Sequence, residues 1–162
     1  MDQLDSARFL PDLLDGLDYA NFYILNLVER VAVRRCRPIM LKPWPMSGTV
    51  QYGAWLAAAQ RDYIFFEAHT ARVHQEHIIL HELAHMLLGH PTLMVTDDIA
   101  LTSEVLMRAL STLNESARER EAEALAAKLW GELMRRAGLH ALTHRVATAP
   151  LWSDLAFGLG LD

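Results

Sequence analysis

The most informative stretch of the chain, residues 78–90, reads IILHELAHMLLGH. Its apolar positions recur at the three- and four-residue spacing of a helix. Gly89 and Pro91 are residue types that end helices, so we predict one helix over about residues 71–88. The polar positions of this stretch are flanked by apolar residues, whereas a solvated, accidental match would more often have charged neighbours.

The same stretch contains the pattern HExxH, formed by His81, Glu82 and His85. Side chains four residues apart on a helix lie one above the other, so the two imidazoles can bind one metal ion. Glu82 lies on the adjoining side, where it can accept a proton from water that zinc has made acidic. The pattern therefore predicts a site for one Zn²⁺ ion, with Glu82 as the catalytic base.

The composition is that of a globular protein, with 162 residues of which 52% are hydrophobic and 22% charged. A chain of this size can bury a core of its own, which predicts a single domain over residues 1–162. The longest apolar run, residues 54–59, is too short to span a bilayer, and the acidic first residues are unlike a secretory signal. The single cysteine excludes an internal disulfide and favours a reducing, cytoplasmic location.

Charge and histidine are distributed unevenly along the chain. Residues 1–29 contain six acidic residues and one basic residue, whereas the remaining residues contain fourteen of each. This balance predicts no direct binding of nucleic acid. The acidic N-terminal helical arm, residues 1–37, is either an amphipathic cover for the core or a docking surface for a basic partner. Six of the eight histidines lie from His69 to His90, which indicates where metal chemistry belongs.

Periodicity in the rest of the chain predicts an α+β fold. We expect a small three-stranded, mostly antiparallel sheet beside the motif helix, with helices before and after it. The catalytic core is placed at residues 38–137 and a C-terminal tail at 138–162. The predicted strands are Ile39–Leu41, Thr49–Ala58 and Asp62–Glu67, and the other predicted helices are 17–33, 101–110, 115–137 and 139–147.

A catalytic zinc site needs a third protein ligand and an open position. His90 lacks the metzincin spacing, and we expect it to cap the helix or to line the site. The alternative is a glutamate of the later helix. Periodicity alone does not choose among Glu115, Glu119, Glu121 and Glu123.

Three other side chains are candidates for contacts to a substrate or its transition state. His77 projects from the same side of the helix as His81 and can polarise a carbonyl or line the entrance. His144, in the tail, can supply the hydrogen-bond donor that zinc peptidases need, and Tyr63 is the other candidate for that role.

Residues 78–90, together with the stretch EREAEALAA at residues 119–127, resemble the ImmA/IrrE family of zinc metallopeptidases. Members of that family show HELGHxLLGH and later ExEAnxFA, and the resemblance, which includes actinobacterial members, covers about residues 38–135. By position it implies Glu121 as the third zinc ligand, with Glu119 as the runner-up. It also implies a zincin-like minimal metallopeptidase fold.

The resemblance implies a zinc-dependent endopeptidase that cleaves a separate helix-turn-helix repressor, encoded nearby, and so derepresses stress or mobile-element genes. Many members carry their own DNA-binding domain, for which this chain has neither the length nor the basic residues. The alternative is a non-proteolytic zinc-fold module that sequesters a transcription regulator, although such a module has no need of Glu82. The chain departs from the family pattern at Ala84, Glu123 and Leu125.

Overall fold

The computed structural model describes residues 10–19, 23–46, 51–95, 104 and 116–141. The predicted α+β class is confirmed, and none of the described helices is long and apolar enough to cross a membrane. Predictions for residues 1–9, for most of 101–110 and for residues after 141 lie outside the described residues. Apart from a helical segment at residues 10–14, the elements are helices α1 (Tyr23–Arg35), α2 (Arg72–Leu88) and α3 (Ser116–Ala141) and strands β1 (Ile39–Trp44), β2 (Gly53–Ala57), β3 (Asp62–Glu67) and β4 (Leu93–Met94).

The four strands form one mixed sheet in the order β1-β3-β2-β4. Strands β2 and β3 are antiparallel, whereas β1 is parallel to β3 and β4 is parallel to β2. The prediction of a three-stranded, mostly antiparallel sheet is therefore wrong. The short connection between β2 and β3 requires these two strands to run in opposite directions. The eight residues between β1 and β2 are long enough to allow either direction for β1. Strand β4 has two residues, too few for an alternating pattern in the sequence.

Alternate side chains of the sheet belong to two separate cores, because successive residues of a strand point to opposite faces. On the face covered by the helices, Trp55, Ile64 and Phe66 join the large core cluster. On the other face, Tyr63 and Phe65 join a smaller cluster. Tyr63 therefore points away from the motif helix.

The described part of the acidic arm packs on the large core. Its first helical segment ends at Leu14, and Gly16 follows with a left-handed φ of 63°. Residues 17–19 are not helical, so the helix predicted over 17–33 corresponds to α1, Tyr23–Arg35. Asp12, Asp15 and Asp18 are exposed on the outer side. The segment is thus amphipathic, and its buried leucines are Leu10, Leu13, Leu14 and Leu17.

A buried carboxylate ties the end of α1 to the start of β3. Asp62 is fully buried and accepts hydrogen bonds from Arg35 Nη2 and Arg37 Nε, each at 3.0 Å. The two guanidinium groups compensate the free-energy cost of burying the carboxylate, which would be prohibitive for an unpaired charge. Arg35 and Arg37 therefore hold helix and sheet together.

The end of α2 reverses the chain sharply. Gly89 has a left-handed φ of 68°, and the backbone N–H groups of Gly89 and His90 donate to the carbonyls of Met86 and His85 at 3.2 and 3.0 Å. This is the hydrogen-bond pattern of a helix cap that favours glycine at the left-handed position. The reversal returns His90 to the side of the helix that carries His85.

Gly89 and Gly131 form a matched pair for testing this cap. A Cβ atom added at either position meets nothing within 4 Å, so neither substitution causes a clash. The left-handed conformation of Gly89 costs an L-residue about 1 kcal/mol, whereas alanine stabilises the interior of a helix by about 1 kcal/mol relative to glycine. We expect Gly89→Ala to lower the free energy of unfolding in urea and Gly131→Ala, inside α3, to raise it. Changes of the same sign in both variants would contradict the role of the cap.

Candidate metal centre

A cavity of about 350 Å³ lies between β2, α2 and the first turns of α3. Histidines of α2, residues 52–55 of β2 and its approach, and Glu119 and Glu123 of α3 are among the groups that line it. The geometry follows from the packing of α2, which buries its apolar side against the sheet and presents its imidazoles to α3. Polar side chains of three elements therefore meet in one place.

His81, His85 and Glu119 form a group that could hold a metal ion. The two Nε2 atoms are 3.0 Å apart, and the Glu119 carboxylate oxygens lie 3.1 Å from His81 Nε2 and 3.4 Å from His85 Nε2. Tetrahedral zinc with bonds of about 2.0–2.1 Å has donor atoms about 3.3 Å apart. Two imidazole nitrogens and a carboxylate at this spacing could hold one metal ion, and zinc is among the divalent ions that such donors suit.

Glu121, which the resemblance assigns as the third ligand, does not join this group. Its Oε2 lies 3.2 Å from His90 Nε2, and its side chain is 64% exposed. Consecutive residues of a helix are about 100° apart around the axis, so Glu119 and Glu121 leave α3 in different directions. The rotation of α3 against α2 turns Glu119 towards the two histidines.

Both metal-site histidines have a second partner on the ring nitrogen that faces away from the triad. His81 Nδ1 lies 3.2 Å from Glu123 Oε2, and the other oxygen of Glu123 lies 3.3 Å from His77 Nε2. His85 Nδ1 lies 2.9 Å from His90 Nδ1. Such outer partners are typical of histidines that bind metals.

Glu82 is buried at the wall of the cavity, with 8% of its surface exposed. Burial raises the pKa of its carboxyl from 4.5 to about 7, with a further contribution from Glu119. His81 and the backbone N–H of Trp55, which donates to the carboxylate, oppose this increase in pKa. A carboxyl group that titrates near neutral pH can both accept and return a proton, as a general base requires.

Gly53 allows β2 to approach Glu82 closely. A Cβ atom at this position would lie 2.4 Å from Ile78 Cγ2 and 2.9 Å from Glu82 Oε1. Any side chain at residue 53 would therefore force Ile78, Glu82 or the strand itself to shift. The position of the carboxylate depends on this glycine.

His85 is held in its neutral form. Burial, together with the neighbouring His81 and His90, lowers the pKa of its imidazole from 6.5 to about 3. Neutral imidazole is the form that binds metals, so this environment keeps a lone pair of His85 available near neutral pH.

Of the other candidate residues from the sequence, some line the cavity and some do not. His77 lines the cavity, whereas Tyr63 does not, because it is buried in the core on the opposite face of the sheet. Glu115 and His144 lie outside the described residues. His90 lines the cavity, which is one of the two roles expected from the sequence, but its contacts with His85 and Glu121 were not predicted.

The raised pKa of Glu82 predicts a pH-dependent stability in protein stripped of metal by a chelator. The folded state retains the proton up to about pH 7 and the unfolded chain loses it near pH 4.5, so this group lowers stability progressively as pH rises between those values. Because glutamine does not titrate, the free energy of unfolding of Glu82→Gln should not show this loss. The difference between the variant and the wild type should therefore change in favour of the variant from pH 5 to pH 8, by up to about 3 kcal/mol. Urea denaturation at both pH values measures the change.

Glu132→Gln is the matched control for this prediction. Hydrogen bonds from Arg135 and Arg136 keep the pKa of Glu132 below its usual range, so its carboxyl is ionised throughout this pH interval. Its substitution should shift both stabilities by a similar amount. Parallel pH curves for Glu82→Gln and the wild type would contradict the burial argument.

Comparison with known proteins gives no family for this chain. No protein-family model, curated protein or solved structure matches it. The residues themselves supply a His/His/Glu group that could bind a metal ion, next to a buried carboxyl group.

Proposed function

We propose that the protein is a zinc-dependent endopeptidase of the ImmA/IrrE type with a zincin-like fold. The observation that carries the proposal is the shared cavity of a His/His/Glu triad and a buried glutamate whose pKa is about 7. Neither a structural metal site nor a simple binding pocket requires that glutamate. Together these groups form the set that hydrolysis of a peptide bond needs.

The proposed ligands are His81 Nε2, His85 Nε2 and a carboxylate oxygen of Glu119, which we prefer to Glu121 on the distances above. Bound zinc supplies Lewis-acid polarisation of a carbonyl and makes water acidic at neutral pH. Three protein ligands leave a coordination position open, which distinguishes a catalytic site from a closed structural one.

Glu82 is the proposed general base. Its buried carboxylate accepts the proton of the attacking water and then delivers it to the leaving amine, as a group with a pKa near neutrality can. The hydrogen bond from the Trp55 N–H keeps the carboxylate directed into the cavity. His77, on the cavity wall, is the proposed contact for a substrate carbonyl.

The outer edge of β2 is the proposed place for the substrate backbone. Strand β4 pairs with β2 at Leu56 and Ala57, and Thr92 Oγ1 donates to the carbonyl of Trp55. The backbone N–H of Glu67 in β3 donates to the carbonyl of Tyr52. Backbone groups of successive residues point to opposite edges of a strand, so the N–H and C=O of Gly53 point to the outer edge of β2. An extended peptide can add there as a strand beside the cavity.

The resemblance supplies the proposed substrate, a separate helix-turn-helix repressor encoded nearby, whose cleavage derepresses stress or mobile-element genes. This substrate accords with a chain of net charge −5 that lacks the basic balance of a DNA-binding protein. The exposed aspartates of the arm are suitable for contact with a basic protein.

Glu82→Gln tests the catalytic role. The amide keeps the size of the side chain and can still accept a hydrogen bond from Trp55, but it cannot take up a proton. We expect zinc binding to remain within a fewfold of the wild type and cleavage of the neighbouring repressor to fall by at least about 100-fold. Glu29→Gln, at an exposed position of α1, is the control and should cleave like the wild type.

Gel electrophoresis of the repressor after incubation with each variant measures cleavage. Cleavage by Glu82→Gln at the wild-type rate would exclude the proposed mechanism. Absence of any fragment with the wild type, together with stoichiometric binding of the repressor, would instead support the sequestering module.

Glu119→Ala tests the third ligand. Removal of a direct ligand should weaken zinc binding by more than the tenfold to 100-fold typical of outer-shell changes. In protein loaded with Co²⁺, a probe of coordination geometry, the loss of a protein ligand should also change the visible spectrum. If Glu121→Ala, and not Glu119→Ala, changed the spectrum, the ligand assigned by the resemblance would be correct.

A further inference from the structure

Helix α3 carries glutamates at three alternate positions beside the site, Glu119, Glu121 and Glu123. Glu119 faces His81 and His85, and Glu123 contacts His81 directly. Glu121 contacts His90 instead, and His90 in turn contacts His85. His85 is therefore connected to a carboxylate of α3 through a second imidazole.

The intermediate residue of this chain is buried. The His90 side chain is 8% exposed, and both of its ring nitrogens have partners: Nδ1 lies 2.9 Å from His85 Nδ1, and Nε2 lies 3.2 Å from Glu121 Oε2. Its place is set by the left-handed Gly89, whose cap uses backbone groups alone. The His90 side chain is therefore available for a role other than capping.

The direction of the hydrogen bonds follows from the chemistry of imidazole. A neutral imidazole carries one N–H donor and one acceptor nitrogen. If His85 binds metal through Nε2, its proton is on Nδ1 and is donated to His90 Nδ1. His90 then carries its own proton on Nε2 and donates it to Glu121 Oε2. One tautomer of each histidine satisfies every partner.

We infer that His90 and Glu121 are positioning residues that act in series to hold His85 in the tautomer and ring orientation that bind zinc. A metal-binding histidine is more basic and better oriented when its second nitrogen donates to a fixed acceptor. At His81 no second imidazole intervenes, because the carboxylate of Glu123 accepts directly from its Nδ1. The inference rests on zinc binding as proposed above, and on no step of peptide hydrolysis.

Zinc affinity of the full chain, measured by competition with a chromophoric chelator, tests the inference. We expect His90→Ala to weaken zinc binding tenfold to 100-fold, in the range of other outer-shell changes. Glu121→Ala should weaken it by about tenfold or less, since His90 remains. Glu29→Ala, which removes the same charge from the surface of α1, should leave the affinity unchanged.

The double variant His90→Ala/Glu121→Ala shows whether Glu121 acts on His85 through His90 or whether the two residues act independently. If Glu121 acts through His90, the double variant should bind zinc as well as His90→Ala alone, because the second change removes nothing further. Multiplicative losses would overturn the serial arrangement. Zinc affinities of both single variants equal to that of the wild type would overturn the inference while leaving the proposed function intact.

Two further measurements exclude a merely structural effect. Thermal unfolding of the metal-free variants reports on the fold, and Glu121→Ala alters an exposed side chain, so the test does not depend on the folding of His90→Ala. In ¹⁵N-labelled zinc-loaded protein, NMR should place imidazole protons on His85 Nδ1 and His90 Nε2. Protons on the opposite nitrogens would overturn the inference, whereas absence of zinc binding by the wild type would overturn the proposed function with it.

Discussion

The close approach of β2 to α2 is the constraint on which the rest of the site depends. At Gly53 the strand comes so near that an added Cβ atom would overlap Ile78 and touch the carboxylate of Glu82. This contact places the Trp55 N–H on Glu82, buries the carboxyl group and raises its pKa. It also sets the cavity between the strand and the histidines, so one glycine controls both the electrostatics and the shape of the site.

The features that could be predicted from the sequence are those that depend on local spacing. His81, Glu82 and His85 lie on one helix, and four residues of helix fix the relation of the two imidazoles wherever the helix packs. The bounds of α2 followed from Gly89 and from the apolar periodicity. The strand at residues 62–67 was equally clear, because its central residues 63–66 form a run of aromatic and β-branched side chains.

The features that escaped prediction depend on how distant elements are oriented. The rotation of α3 about its axis brings Glu119 to His81 and His85 and Glu121 to His90, and the pattern EREAEALAA does not encode which neighbour each glutamate will meet. Alternation assigned Tyr63 and Ile64 to opposite faces but not which face would lie under α2. The direction of β1 was unpredictable for the same reason, since it is set by long-range pairing with β3.

Strand β4 has a consequence for selectivity. Its pairing at Leu56 and Ala57, with Thr92 on the Trp55 carbonyl, closes most of the outer edge of β2. An extended chain laid along that edge finds the backbone groups of Gly53 and little else within the described strand. Two hydrogen bonds contribute only about 1 kcal/mol each, so pairing along this edge alone would bind an extended peptide weakly. Under the proposed peptidase function, a substrate would therefore have to be recognised by a second surface besides this short edge of β2.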